Sequence, residues 1–163
     1  MNHPTPGRRA APPRRPMEAA ATVAVGVLWH TVPEAVRASW RCLEARDLGT
    51  ARHSARVAAV ATLLGLELGL AHEEVVVLYQ MAILHDVGKI AVEDSILKNP
   101  GRLSSEQYAR VQDHVRESVE ILADLGLGRL LPGVADHHER PDGGGYPVGR
   151  CAADLAPAAR ILA

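Results

Sequence analysis

An adjacent histidine and aspartate, His85 and Asp86, follow the apolar run Ile83-Leu84, with Gly88 two residues beyond the aspartate and Lys89 three. The pair offers one borderline nitrogen donor and one hard oxygen donor, a mixture that suits iron, manganese or zinc. Neighbouring side chains on a helix point about 100° apart. His85 and Asp86 therefore meet one ion only where the helix frays, or they serve two ions, and Gly88 is read as the breaker that permits this. Taken alone, a His-Asp step is an ordinary helix end whose imidazole faces the dipole. It does not stand alone: His53, His114 and the pair His137-His138, followed by Glu139, add further donors. A single inward histidine is usually a satisfied core residue. Six nitrogen and oxygen donors on helical faces or ends sum instead to a two-metal site in a helical bundle.

The elements that must position these donors read as helices. Aromatic residues make up 3% of the 163 residues and Phe is absent, so the core is aliphatic. No segment alternates with period two, which leaves an all-α fold. Lys and Arg (18) nearly cancel Asp and Glu (19), so charge gives no support for a nucleic-acid polymer as partner. Cys42 and Cys151 match neither a metal spacing nor a disulfide framework, and a reduced cytoplasm is the simplest setting.

In chain order, residues 1–16 are a Pro/Arg-rich arm expected to be disordered, and residues 17–42 a helical lead-in, with Met17 an alternative start to Met1. The apolar run from Ala19 to Trp29 is too short to span a membrane. A helix is expected over Pro33 to Arg46, then a break at Asp47-Leu48-Gly49-Thr50. Thr50 would cap a helix over about Ala51 to Leu68, with Val57, Val60, Ala61, Leu64 and Leu68 buried and His53 facing the same interior. The next helix, opening at Ala71-His72-Glu73-Glu74, is apolar almost all round and delivers His85 and Asp86. Asp94 to Gly101 reads as a turn-rich connection. Ser104 and Gln107 form a capping box that starts a helix to about Asp124, carrying His114 inward. Pro132 starts a helix ending in His137-His138-Glu139, and Arg140 to Pro147 is a glycine-rich loop.

Taken together, His53-Ser54-x-Arg56-Val57, the run from His85 to Ile90, Asp94-Ser95-Ile96-Leu97, His114, and His137-His138-Glu139 through Gly145-Tyr146-Pro147 resemble the HD-GYP domain of the HD phosphohydrolase superfamily. The likeness covers roughly residues 43–163. It implies an all-helical bundle, two divalent ions (iron or manganese) and hydrolysis of the bacterial messenger cyclic di-GMP to pGpG or GMP. By the same resemblance His53, His85, Asp86, His114, His137 and His138 are the metal ligands, and Lys89 contacts a phosphate or the nucleophile. Asp142, Gly145, Tyr146 and Pro147 shape the nucleotide pocket. A homodimer or a signalling protein is the expected macromolecular partner.

Two departures from the family pattern stand out. Gly49 occupies the position where some members place a glutamate and hold a third metal, so two ions are expected. Ala159 to Ala163 resembles the start of a closing helix that in the family leads to a further aspartate ligand, which marks the domain as incomplete at its C-terminus. The alternatives to an active phosphodiesterase are therefore a catalytically impaired domain that binds nucleotide or protein, and an HD-type phosphohydrolase acting on another nucleotide.

Overall fold

The computed structural model describes residues 26–30 and 32–163. The Pro/Arg-rich arm and most of the apolar run behind it lie outside them. Residues 26–30 are helical, and eight α-helices follow: α1 (Glu34–Arg46), α2 (Leu48–Glu67), α3 (His72–Leu84), α4 (Asp94–Leu97), α5 (Ser105–Gln112), α6 (His114–Asp124), α7 (Leu131–Ala135) and α8 (Pro157–Leu162). Short 3-10 turns span Val87–Ala91 and Gly128–Leu130. Among the described residues no strand forms; a single isolated bridge pairs Asp142 with Cys151. The all-α expectation holds. None of the described helices is long and apolar enough to cross a membrane.

Helix α3 is the axis of the bundle. Eight of its thirteen residues are buried, among them Leu78, Tyr79, Met81, Ala82, Ile83 and Leu84. Its start is held by Glu74, whose carboxylate accepts the Ala71 N–H at 2.8 Å. Helices α1, α2 and α7 pack around it, and Leu28, Val36, Ala58, Ala61, Leu122, Leu130 and Val134 complete the core. Trp29 and Trp40 meet edge to face at its margin, 5.3 Å apart.

Four expectations need correction. The break before α2 is one residue, not four: Asp47 is the cap, accepting from the Gly49 and Thr50 amides, so the helix starts at Leu48. The buried face of α2 is Ala51, Ser54, Ala58, Ala61, Thr62 and Gly65, while Val60, Leu64 and Leu68 are exposed. Small side chains face α3 because the two helices lie close: a Cβ on Gly65 would stand 3.0 Å from a Leu78 methyl. Within the connection after Val92, Asp94–Leu97 forms a helical turn. Finally, the helix expected from the Ser104 box to Asp124 is two helices. The box is present, but α5 stops at Gln112 and α6 starts at His114.

Candidate metal centre

Three of the expected ligands sit where helices stop. Helix α3 ends at Leu84, before His85; α5 ends two residues before His114; α7 ends at Ala135, two before His137. Carbonyls in the last turn of a helix have no amide partner four residues on. At each of these ends the imidazole supplies one. The Nδ1 of His85 lies 2.8 Å from the Ala82 carbonyl, that of His114 2.5 Å from Val111, and that of His137 2.6 Å from Val134. A carbonyl only accepts, so each Nδ1 is the N–H and each Nε2 is the bare nitrogen.

Those bare nitrogens converge on Asp86, which is 1% exposed. Its Oδ1 faces His114 Nε2 at 3.2 Å and His137 Nε2 at 3.9 Å, while Oδ2 faces His85 Nε2 at 3.3 Å and Lys89 Nζ at 2.7 Å. The Nε2 atoms of His114 and His137 are 3.2 Å apart. Lone pairs at that separation repel one another, and the buried Oδ1 accepts no hydrogen bond. An electropositive ion among them satisfies all three, so the donor set fits a divalent metal. The donors form two groups with atoms within 4.8 Å of one another: Asp86, His114, His137 and His138, and His53, His85 and Asp86. Asp86 belongs to both.

Electrostatics keep these groups ready. Burial, then the neighbouring His85 and His138, pushes the His137 imidazole down to about 2. Burial and His114 push His138 down to about 4, and burial lowers His53. Burial alone would raise the Asp86 carboxyl, but the Lys89 ammonium, 2.7 Å from Oδ2, opposes this and holds it below the usual carboxylate range. His53, His137 and His138 are thus neutral donors and the aspartate an anion at pH 7.

All six expected ligands therefore meet, with three changes of detail. His53 is exposed at the rim rather than buried, its ring 5.5 Å from that of His85. Gly88 does not break α3, which has already ended; it allows close approach, because a Cβ there would collide with the His114 carbonyl oxygen. His137 and His138 lie beyond α7 in a turn, not within the helix. His138 packs between His137 and Tyr146, whose ring stacks on it at 4.6 Å and 22°.

The loop from Arg140 to Pro147 is built rather than slack. The buried Glu139 carboxylate accepts the amides of Val148, Gly149 and Arg150 at 2.7–3.0 Å. Gly145 lies so close to Glu139 and His138 that a Cβ would overlap their backbone. Asp142 accepts from both Arg140 nitrogens and from the Gly144 amide, and Pro147 follows a cis peptide bond. Glu139 was visible in the sequence as the third residue of His-His-Glu, yet it is the clamp on this loop. Ser118, on α6 one turn after His114, was missed as well. It fixes the Asp86 turn to α6.

Comparison with known families matches residues 40–163 to the HD domain, a family that binds divalent metals. Across 128 residues the chain is 39% identical to the cyclic di-GMP phosphodiesterase response regulator RpfG of Xanthomonas campestris, covering 76% of this chain and 33% of that protein. It is 39% identical over 140 residues to the 3'3'-cGAMP-specific phosphodiesterase 2 of Vibrio cholerae, covering 83% and 27%. A cyclic di-GMP phosphodiesterase of Thermotoga maritima is 37% identical over 109 residues, covering 65% and 30%. The chain spans about a third or less of the length of these relatives. With residues 40–163 matched and a metal-competent His-Asp core beneath an Asp142-to-Pro147 loop of the HD-GYP kind, the chain belongs to the HD domain family.

Proposed function

We propose that this chain is the catalytic unit of a metal-dependent phosphodiesterase that hydrolyses cyclic di-GMP to pGpG or GMP. The observation that carries the reading is Asp86, whose two oxygens face two separate sets of histidine nitrogens. His53, His85 and Asp86 would hold one divalent ion, and Asp86, His114, His137 and His138 a second. Iron or manganese would suit such a nitrogen-rich set with one carboxylate shared by both groups. Bound there, the ions supply an activated water and neutralise charge on the phosphoryl oxygens.

The remaining work falls to the chain. Lys89 gives one N–H to Asp86 Oδ2 and, being partly exposed, keeps two for a phosphate oxygen. Tyr146, steadied by His138, offers an aromatic surface to a purine. Gly145 and Pro147 set the course of the loop that carries it. Asp142 is spent on Arg140 and Gly144, so it acts through loop shape rather than by touching substrate. Exposed thiols at Cys42 and Cys151 suit a reduced cytoplasm, where a bacterial second messenger would be met.

A second substrate has its own support: the likeness to a Vibrio cholerae enzyme named for 3'3'-cGAMP is as high as that to RpfG. The test is metal content by mass spectrometry together with turnover of cyclic di-GMP, 3'3'-cGAMP and cyclic di-AMP, resolved by chromatography. Turnover of cyclic di-GMP is expected. A metal-replete protein that binds these molecules without cleaving them would instead be a binding module.

A further inference from the structure

The cavity over the histidines is small for a whole cyclic dinucleotide. It measures about 330 Å³ and is bounded chiefly by Tyr108, His137, His138, Gly144, Gly145 and Tyr146, near the lower end of the ~300–1,000 Å³ range of ligand pockets. Two purines, two riboses and two phosphates need more room than that. A neighbouring cavity of about 460 Å³ is lined by Arg102, Leu103, Ser104, Ser105 and, again, Tyr108. Tyr108 is the wall the two share. Its ring is 51% exposed and lies 6.5 Å from that of Tyr146, nearly perpendicular to it at 72°. Tyr146 already has His138 stacked on it, whereas Tyr108 keeps open aromatic surface.

Arg102 supplies the polar half. It makes no ion pair among the described residues, although Arg46, Arg110, Arg116, Arg140 and Arg150 all do. The Ser104 hydroxyl, by contrast, is engaged in capping α5. A free guanidinium beside an open aromatic ring is a recognisable pairing. Guanine presents O6 and N7 side by side as acceptors, which match the guanidinium fork, whereas adenine puts an amino donor in place of O6. Any base offers its π-face to the tyrosine.

We infer that Arg102 and Tyr108 form a second nucleobase subsite, which takes one guanine of the cyclic dinucleotide while the other purine lies near Tyr146. Tyr108 stacks on the base, and Arg102 donates to O6 and N7. The assignment rests on the cyclic-dinucleotide reading given above, and the experiment separates the two.

The chain loaded with manganese, and its Arg102→Ala and Tyr108→Ala variants, are titrated with cyclic di-GMP and cyclic di-AMP by calorimetry, with turnover measured in parallel. Metal content and melting temperature of the variants should match the parent, since both side chains are exposed. The expected result is an about tenfold loss of cyclic di-GMP affinity in Arg102→Ala with cyclic di-AMP unchanged, and a similar loss for both in Tyr108→Ala. Unaltered affinities in both variants overturn the subsite, and an equal loss for both nucleotides in Arg102→Ala overturns its choice of guanine. A parent that binds and discriminates as described but turns nothing over leaves the subsite standing and removes the hydrolase. A parent that binds neither nucleotide removes both.

Discussion

Ser118 Oγ accepts the Gly88 amide at 2.8 Å and donates to the His85 carbonyl at 3.0 Å, so one hydroxyl ties both sides of the Asp86 turn to helix α6. The Val87–Ala91 turn and α6 touch backbone to backbone, which only glycine at position 88 allows. Gly88→Ala should destabilise the fold by roughly 1–3 kcal/mol through overpacking. Ser118→Ala should cost a similar ~1–3 kcal/mol by leaving a buried amide without an acceptor. Thermal melts of both variants check this, and a Gly88→Ala protein as stable as the parent would contradict the close approach.

Asp86 is the group common to both donor sets, whereas His53 belongs to one. Elemental analysis of purified variants should therefore separate them. Two ions per chain are expected in the parent, near one in His53→Ala, and close to none in Asp86→Ala.

Lys89 is expected to act on substrate more than on metal retention. Replacing it with methionine keeps the apolar stem and removes the charge. Turnover should fall about 10²-fold, the scale for losing one charge-stabilising donor, with metal content held. A loss of metal in parallel with activity would recast the lysine as a support for Asp86.

Protonation of the histidines gives a pH signature in metal-free protein. His137 is held down to about 2 and His138 to about 4 in the fold, against an ordinary value near 6.5 in an unfolded chain. Below about pH 6.5 the unfolded state binds protons that the native state refuses, so stability is full above that pH and declines as pH falls. At pH 5 His137 alone removes ~2 kcal/mol, or roughly 4–8 °C of melting temperature, and the half-buried His138 adds less. Asp86 does not contribute in this window, because its depressed carboxyl stabilises the fold at every pH above the ordinary carboxylate range. Melts of chelator-treated protein between pH 5 and 8 supply the measurement, and a His137→Asn variant should flatten the curve.

Aromatic contact at the loop is separable from its hydroxyl. Tyr146→Ala should raise KM for a cyclic dinucleotide about tenfold, in line with ~1–3 kcal/mol per stacked base. Tyr146→Phe should stay close to the parent. Equal loss in both variants would transfer the role to the phenol oxygen.

Much of this architecture was readable in advance because its signals are local. The apolar circumference of α3 marked it as the central helix, the Ser104-Gln107 box marked a start, and the six donors pointed to clusters of side chains that could hold a metal. The failures have a different physics. In α2 hydrophobicity points to Val60, Leu64 and Leu68, yet contact with α3 is made by Ala58, Ala61 and Gly65, since only small residues let two helix backbones approach. Between α5 and α6 neither glycine nor proline marks the break at Asp113; it lies where the His114 ring meets the Val111 carbonyl. Glu139 looked like one more member of a motif, and its bonds to amides nine to eleven residues on are invisible to any short-range pattern.

The helix-end carbonyls of Ala82, Val111 and Val134 have a thermochemical corollary. Each already fixes which imidazole nitrogen is hydrogen-free, and burial keeps His137 and His138 uncharged near neutrality. Ion uptake at pH 7.5 should therefore expel almost no hydronium from the His137 and His138 rings. Titration heats in phosphate and in Tris, whose ionisation enthalpies differ widely, should then differ by no more than the proton that an ion-activated water would give up, once each buffer's own affinity for the cation is subtracted.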